Sequence, residues 1–206
     1  MKRILVFSAF ALVSVASVFA QKEEGHFSIQ PKVGMNVATT TSEAADPRIG
    51  VAAGVEFEMP LKKVVSISLG ALFSMQGAKG KIYEDAQSIK MDAKVRINYV
   101  SLPLMVNVYL AKGFAWKVGV QPSFLIRERY KLAAAQGNKK ENISGKLSDL
   151  GFNVKNVDLS IPVGLSYEFS NFVIDARYNI GLTHIVEDYN GCNRMFQFTL
   201  GYKIKP

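Results

Sequence analysis

Large apolar residues recur at every second position through eight stretches of the chain. The stretch "VDLSIPVGLSYEF" shows the rule. Val157, Leu159, Ile161, Val163, Leu165, Tyr167 and Phe169 alternate with Asp158, Ser160, Pro162, Gly164, Ser166 and Glu168. A period of two is that of an extended strand with two unlike faces. The other runs start at Phe27, Ile49, Val65, Val100, Phe114, Phe172 and Phe196. Upstream of Val100 the phase reverses, because Val95, Ile97 and Tyr99 are out of step with Val100 to Leu110. A β-bulge near Asn98–Val100 is the expected repair.

The connections alternate in length. "LKK" (61–63), "AKG" (111–113) and "SN" (170–171) are short, whereas 38–48, 77–93, 131–156 and 183–193 are long and polar. An antiparallel barrel inserted from one side of a membrane produces this alternation, with short turns on one side and long loops on the other. The longest loop is expected to be irregular, with one helical turn around Leu132–Gln136.

Between the apolar positions lies an unusual face. It carries Gly34, Gly50, Gly54, Gly70, Gly119, Gly164, Gly181 and Gly201, many serines, and charges of both signs. The charged set is Lys32, Glu56, Glu58, Lys117, Arg127, Asp158, Glu168, Asp175, Arg177 and Lys203. A solvated face has little use for strand glycine, which weakens a strand. A narrow barrel lumen needs small residues and a few long ones that pair. The expected fold is therefore all-β: an eight-stranded antiparallel up-and-down transmembrane β-barrel. Its apolar face meets lipid, and the charged set forms a structural network inside. A soluble periplasmic lipocalin-like binding barrel is the alternative, and it requires an apolar lumen. The outward aromatics cluster near strand ends. Phe27, Phe57, Phe114, Trp116, Phe169, Phe172 and Tyr202 fall toward the short turns, and Phe73, Phe124, Tyr178 and Phe196 toward the long loops. These are expected as two interfacial girdles.

Residues 1–20 read differently. Lys2 and Arg3 precede an uncharged apolar run, Ile4–Ala20, with Val18 and Ala20 before Gln21. That is the pattern of a cleavable signal peptide, leaving residues 21–206 as the barrel domain. The chain of 206 residues holds 25 Lys and Arg against 17 Asp and Glu, a net charge of +8. These charges are dispersed, so an anionic membrane surface is the expected counterpart and nucleic acid is not. Cys192 is the single cysteine, which leaves no intramolecular disulfide.

Candidate chemistry is sparse. The histidines are His26 and His184, and His184 stands near Thr183, Glu187 and Asp188. A rim histidine with an acid could serve a lipid A-modifying enzyme or hold a metal, but the spacing matches no metal motif. A solvated loop histidine is the plainer reading. Phosphate loop, nucleophile elbow and Cys-x-x-Cys motifs are missing from the sequence. "NIS" (142–144) fits a glycosylation pattern that is frequent by chance and is not expected to be used here. No enzyme activity, cofactor or metal is expected.

Several stretches together resemble a known family. They are "NYVSLPLMVNVYL" (98–110), "VGVQPSFLI" (118–126), "DLSIPVGLSYEF" (158–169), "FVIDARYNIGLTHI" (172–185) and "RMFQFTLGYKI" (194–204). The chain resembles the PorT-like "outer membrane protein beta-barrel" family of small Gram-negative proteins, most sharply in Asp175–Tyr178 and Gly181–Thr183. The resemblance implies an outer-membrane location and surface loops but no single activity, and some members serve in protein secretion. Expected partners are outer-membrane lipid and lipopolysaccharide, the barrel-assembly machinery, and a protein met through the loops or an export system. The end of the chain, Ile204-Lys205-Pro206, departs from the aromatic ending of many barrels, and Tyr202 is the expected substitute.

Overall fold

The computed structural model describes residues 27–40, 46–84, 89–136, 139–145, 149, 155–186 and 189–205. Eleven strands form one antiparallel sheet: β1 (Ser28–Thr40), β2 (Asp46–Lys62), β3 (Val65–Gln76), β4 (Ala78–Glu84), β5 (Ile89–Ser101), β6 (Leu104–Ala111), β7 (Phe114–Gln136), β8 (Lys139–Gly145), β9 (Val157–Phe169), β10 (Phe172–Val186) and β11 (Tyr189–Tyr202). The first strand pairs with the last, from Lys32↔Gly201 to Thr40↔Asn193, so the sheet closes into a barrel. Closure removes the free edges that hydrocarbon would not tolerate.

At the short-turn end the hydrogen-bonded circuit runs β1–β2–β3–β6–β7–β9–β10–β11 and back to β1. At the other end, β4 and β5 take over from β3 and β6. The strand β8 pairs with β7 alone. The wall thus holds 10 strands, not the expected eight. Two runs are each broken in two. Gly77, at φ 129°, separates β3 from β4. Leu102 and Pro103 separate β5 from β6, because proline has no N–H for the ladder.

The four long polar connections are also corrected. Much of each is strand: β1 runs on to Thr40, β4 and β5 fill most of 77–93, β7 reaches Gln136 and is answered by β8, and β10 reaches Val186. Leu132–Gln136 is extended rather than helical. Pairing across a hairpin satisfies each backbone N–H and C=O whatever the side-chain period. Strand therefore continues where apolar alternation has faded. The tight turns fall at residues 63–64, 112–113 and 170–171. Ser170 (φ 56°) and Gly113 (φ 79°) adopt left-handed conformations in the last two.

The two faces are arranged inside out. Val33, Ile49 and Phe169 are 61%, 66% and 69% exposed on the outer wall, while Lys32 and Glu56 are each 1% exposed inside. A lipocalin-like barrel would show the reverse, and that alternative is overturned. Along β9 the outward series spans 13 residues, enough to cross a bilayer core, which takes about 9–11 tilted residues.

The expected bulge lies on a different strand. Ile97 and Tyr99 are buried within the barrel, so β5 keeps one phase throughout. Asn98 pairs with Arg127 and Tyr99 with Leu125, which leaves Ile126 of β7 as the extra residue. Before Ile126 the odd positions Lys117, Gln121 and Ser123 are buried; after it the buried position is Tyr130. Arg127, expected in the lumen, is exposed on the outer face. The bulge reverses which side of β7 each side chain occupies.

Candidate functional site

Five charged side chains meet at the middle of the lumen. Lys32 comes from β1, Glu56 from β2, Lys117 from β7, and Asp175 and Arg177 from β10. Lys32 Nζ lies 3.0 Å from Glu56 Oε2 and 3.5 Å from Asp175 Oδ2. Lys117 Nζ lies 2.7 Å from Glu56 Oε1 and 2.9 Å from Asp175 Oδ2. Arg177 donates from Nε to Asp175 Oδ1 (2.6 Å), from Nη2 to Asp175 Oδ2 (2.9 Å), and from Nη2 to Glu56 Oε2. The last contact spans the barrel from β10 to β2. All five residues are almost fully buried, and charges so placed persist only when paired and hydrogen-bonded.

A second layer lies toward the short turns. Lys203 Nζ pairs with Glu58 Oε2 at 3.1 Å and with Glu168. Glu58 also accepts from Gln30 Nε2 (2.8 Å), Ser66 Oγ (2.6 Å) and the Tyr109 hydroxyl. The central layer has three cations and two carboxylates, and this one has a single cation and two carboxylates. Neither balances by itself; together they are neutral.

Toward the long-loop end the lumen turns to amides and hydroxyls. Asn36 Nδ2 donates to Ser74 Oγ (2.9 Å), Gln197 Nε2 to Asn36 Oδ1 (2.9 Å) and Gln76 Nε2 to Ser74 Oγ (3.1 Å). Asp158 belongs to this layer rather than to the ion pairs. It accepts from Thr183 Oγ1 at 2.5 Å and from Asn193. Cavities beside Glu58 and beside Asp158 measure about 10 Å³ each, room for about one water molecule.

The glycines explain how long side chains fit across so narrow a bore. Gly164 of β9 is registered between Lys117 and Arg177. A Cβ on it would fall 2.3 Å from the Ala176 carbonyl oxygen and 3.1 Å from Arg177 Cγ. Gly54 and Gly201 flank Lys32 in the same way. Each long cation of the central layer has at least one glycine registered beside it.

This architecture is matched by comparison with known families. The chain matches the "Outer membrane protein beta-barrel domain" over residues 19–187. The chain belongs to this family. Membership places the barrel in the outer membrane. No curated protein matches it. Ail, the attachment invasion locus protein of Yersinia pestis, is similar in structure at TM-score 0.48 and 15% identity, over 88% of this chain and 100% of that one. Neisserial surface protein A gives 0.43 and 12%, over 90% of this chain and 100% of that one. A de novo designed transmembrane β-barrel gives 0.38 and 12%, over 89% and 99%. Likenesses at this level assign no function.

On this outer-membrane barrel, Phe27, Phe57, Trp116, Phe169, Phe172, Tyr202, Phe124 and Phe196 are exposed on the outer wall, and Phe114, Phe73 and Tyr178 are half-buried. Phe172 meets Tyr202 edge-on at 5.4 Å, and Tyr178 meets Phe196 at 4.5 Å. His184 is registered opposite Cys192, which is in strand β11 and not in a loop. His26, Glu187 and Asp188 lie outside the described residues, as do residues 1–20, expected as a signal peptide, and Pro206. Among the described residues no group of His, Cys, Asp and Glu could hold a metal ion.

Tyr109, Gln30 and Ser66 were missed as partners of Glu58. Their signal was parity: each occupies the inward register of its strand. Arg48, also missed, is buried and donates to the Gln76 carbonyl.

Proposed function

We propose that the protein is a non-conducting, non-enzymatic barrel that fixes a set of strand extensions at the bacterial surface. The supporting observation is the pair of complementary charge layers, in which four cations and four carboxylates interlock across the lumen. Ion pairs at hydrogen-bonding distance across the bore would leave no path for solutes. In this reading segment 1–20 directs export. Both chain termini of the barrel domain, joined at Ile29↔Ile204, face the periplasm, and the long-loop end faces outward. The aromatics at the two strand ends then mark the lipid boundaries. Kinship with PorT-like proteins would make the partner of the surface end a component of an export system.

Planar-bilayer recording of the purified barrel tests the reading. The expected result is an unbroken baseline. Stepwise, ohmic currents would overturn it. A lipid A mass spectrum that changes when the barrel is expressed would overturn the non-enzymatic part.

A further inference from the structure

The wall formed by β4, β5 and β7 changes character abruptly past the apolar belt. Phe73, Val100 and Phe124 are registered as one outward row. The next row toward the long-loop end is Met75, Asn98 and Arg127. Then Arg96 stands opposite Arg129, and Lys79, Lys94 and Lys131 form a row of cations. All six basic residues are exposed, and successive rows are about 7 Å apart along the strands.

Like charges directly opposite one another weaken a sheet, so these rows need anions. Asp46, opposite Lys79, is the carboxylate registered into them, and Asp92, opposite Lys81, follows one row further on. Glu128 lies on the inward side of β7 with Tyr130. The opposite wall is different: beyond Tyr178 and Phe196, Arg194 stands between Thr39 and Ile180. The bulge at Ile126 keeps Arg127, Arg129 and Lys131 outside; in unbroken alternation all three would enter the lumen.

We propose that this face binds the phosphate groups of lipopolysaccharide in the outer leaflet. The inference rests on the orientation given under the proposed function. Guanidinium groups take phosphate in paired hydrogen bonds, and basic residues at headgroup depth attract anionic lipid. The basic rows rise directly from Phe124 and Ile126, which are 45% and 55% exposed. A ligand with acyl chains below and phosphates above fits both halves, and a soluble polyanion fits only the upper one.

Native mass spectrometry of the barrel in zwitterionic detergent provides the test. The probes are bisphosphorylated lipid A, the same lipid A with its phosphates removed, and dextran sulfate. The phosphorylated lipid should bind most tightly. At about fivefold per basic residue, R96Q/R129Q/K131Q should weaken binding on the order of a hundredfold. Arg194→Gln should leave it within about twofold. Folding of each variant is read from its heat-modifiable gel migration. Should the triple variant not fold, Arg129→Gln decides, with a loss of about fivefold. Equal binding of the two lipids, wild-type affinity in the folded variant, or dextran sulfate binding as tightly as lipid A would each overturn the inference. Those outcomes leave the bilayer recording untouched, and pore currents there would strike the proposed function whatever the lipids do.

Discussion

Glu56→Gln removes one negative charge from the centre of the lumen with almost no change in shape. Glu56 faces Lys32, Lys117 and Arg177, and its side chain is 1% exposed. After the substitution, three cations are left with Asp175 as the one carboxylate of that layer. Removing one partner of a buried ion pair costs about 3–5 kcal/mol, and no cavity forms to complicate the figure. Lys32→Met is the informative comparison. It leaves Lys117 and Arg177 facing Glu56 and Asp175, two against two, and replaces a buried ammonium with an apolar chain of similar length. It should cost less than half as much as Glu56→Gln. In the double variant the central layer returns to an excess of one cation, as in the wild type, so the combined loss should fall short of the sum by more than about 1 kcal/mol. The assay is urea unfolding in lipid vesicles, followed by gel migration and by the fluorescence of Trp116, the chain's single tryptophan. Midpoints are compared at equal slope. A Lys32→Met loss equal to that of Glu56→Gln, or a Glu56→Gln loss below about 1 kcal/mol, would refute the charge accounting within the central layer.

Three further outcomes use the same titration. Arg127→Ala should leave stability within about 0.5 kcal/mol, whereas Lys117→Ala should cost several kcal/mol, because the first is outside and the second is inside; equal losses would contradict the bulge at Ile126. Tyr109→Phe removes the hydroxyl that donates to Glu58 and should cost about 1.5–3 kcal/mol. Val163→Arg, halfway along the outward series of β9, should cost about 2–4 kcal/mol in bilayers, and a neutral result would place that face away from lipid.

The side-chain period and the small, charged character of the alternate face were enough to establish an inside-out antiparallel barrel. Both are local properties: each strand must present one face to lipid and the other to the bore, so both environments are written into every stretch. Lys32, Glu56, Lys117, Asp175 and Arg177 could be assigned to the lumen from parity alone. Which of them touch could not. Glu56 meets Arg177 across 121 positions of chain, and only the closure of β1 on β11 and the stagger of the strands bring those depths level. The strand count failed for a related reason. Gly77 and Leu102–Pro103 interrupt strands without disturbing parity, and the hairpin extensions are held by backbone pairing, which leaves no periodic trace in side chains. Arg127 shows the boundary most clearly. Its side was set by one unpaired residue, Ile126, and the tertiary pairing of β5 with β7 decided where that residue fell.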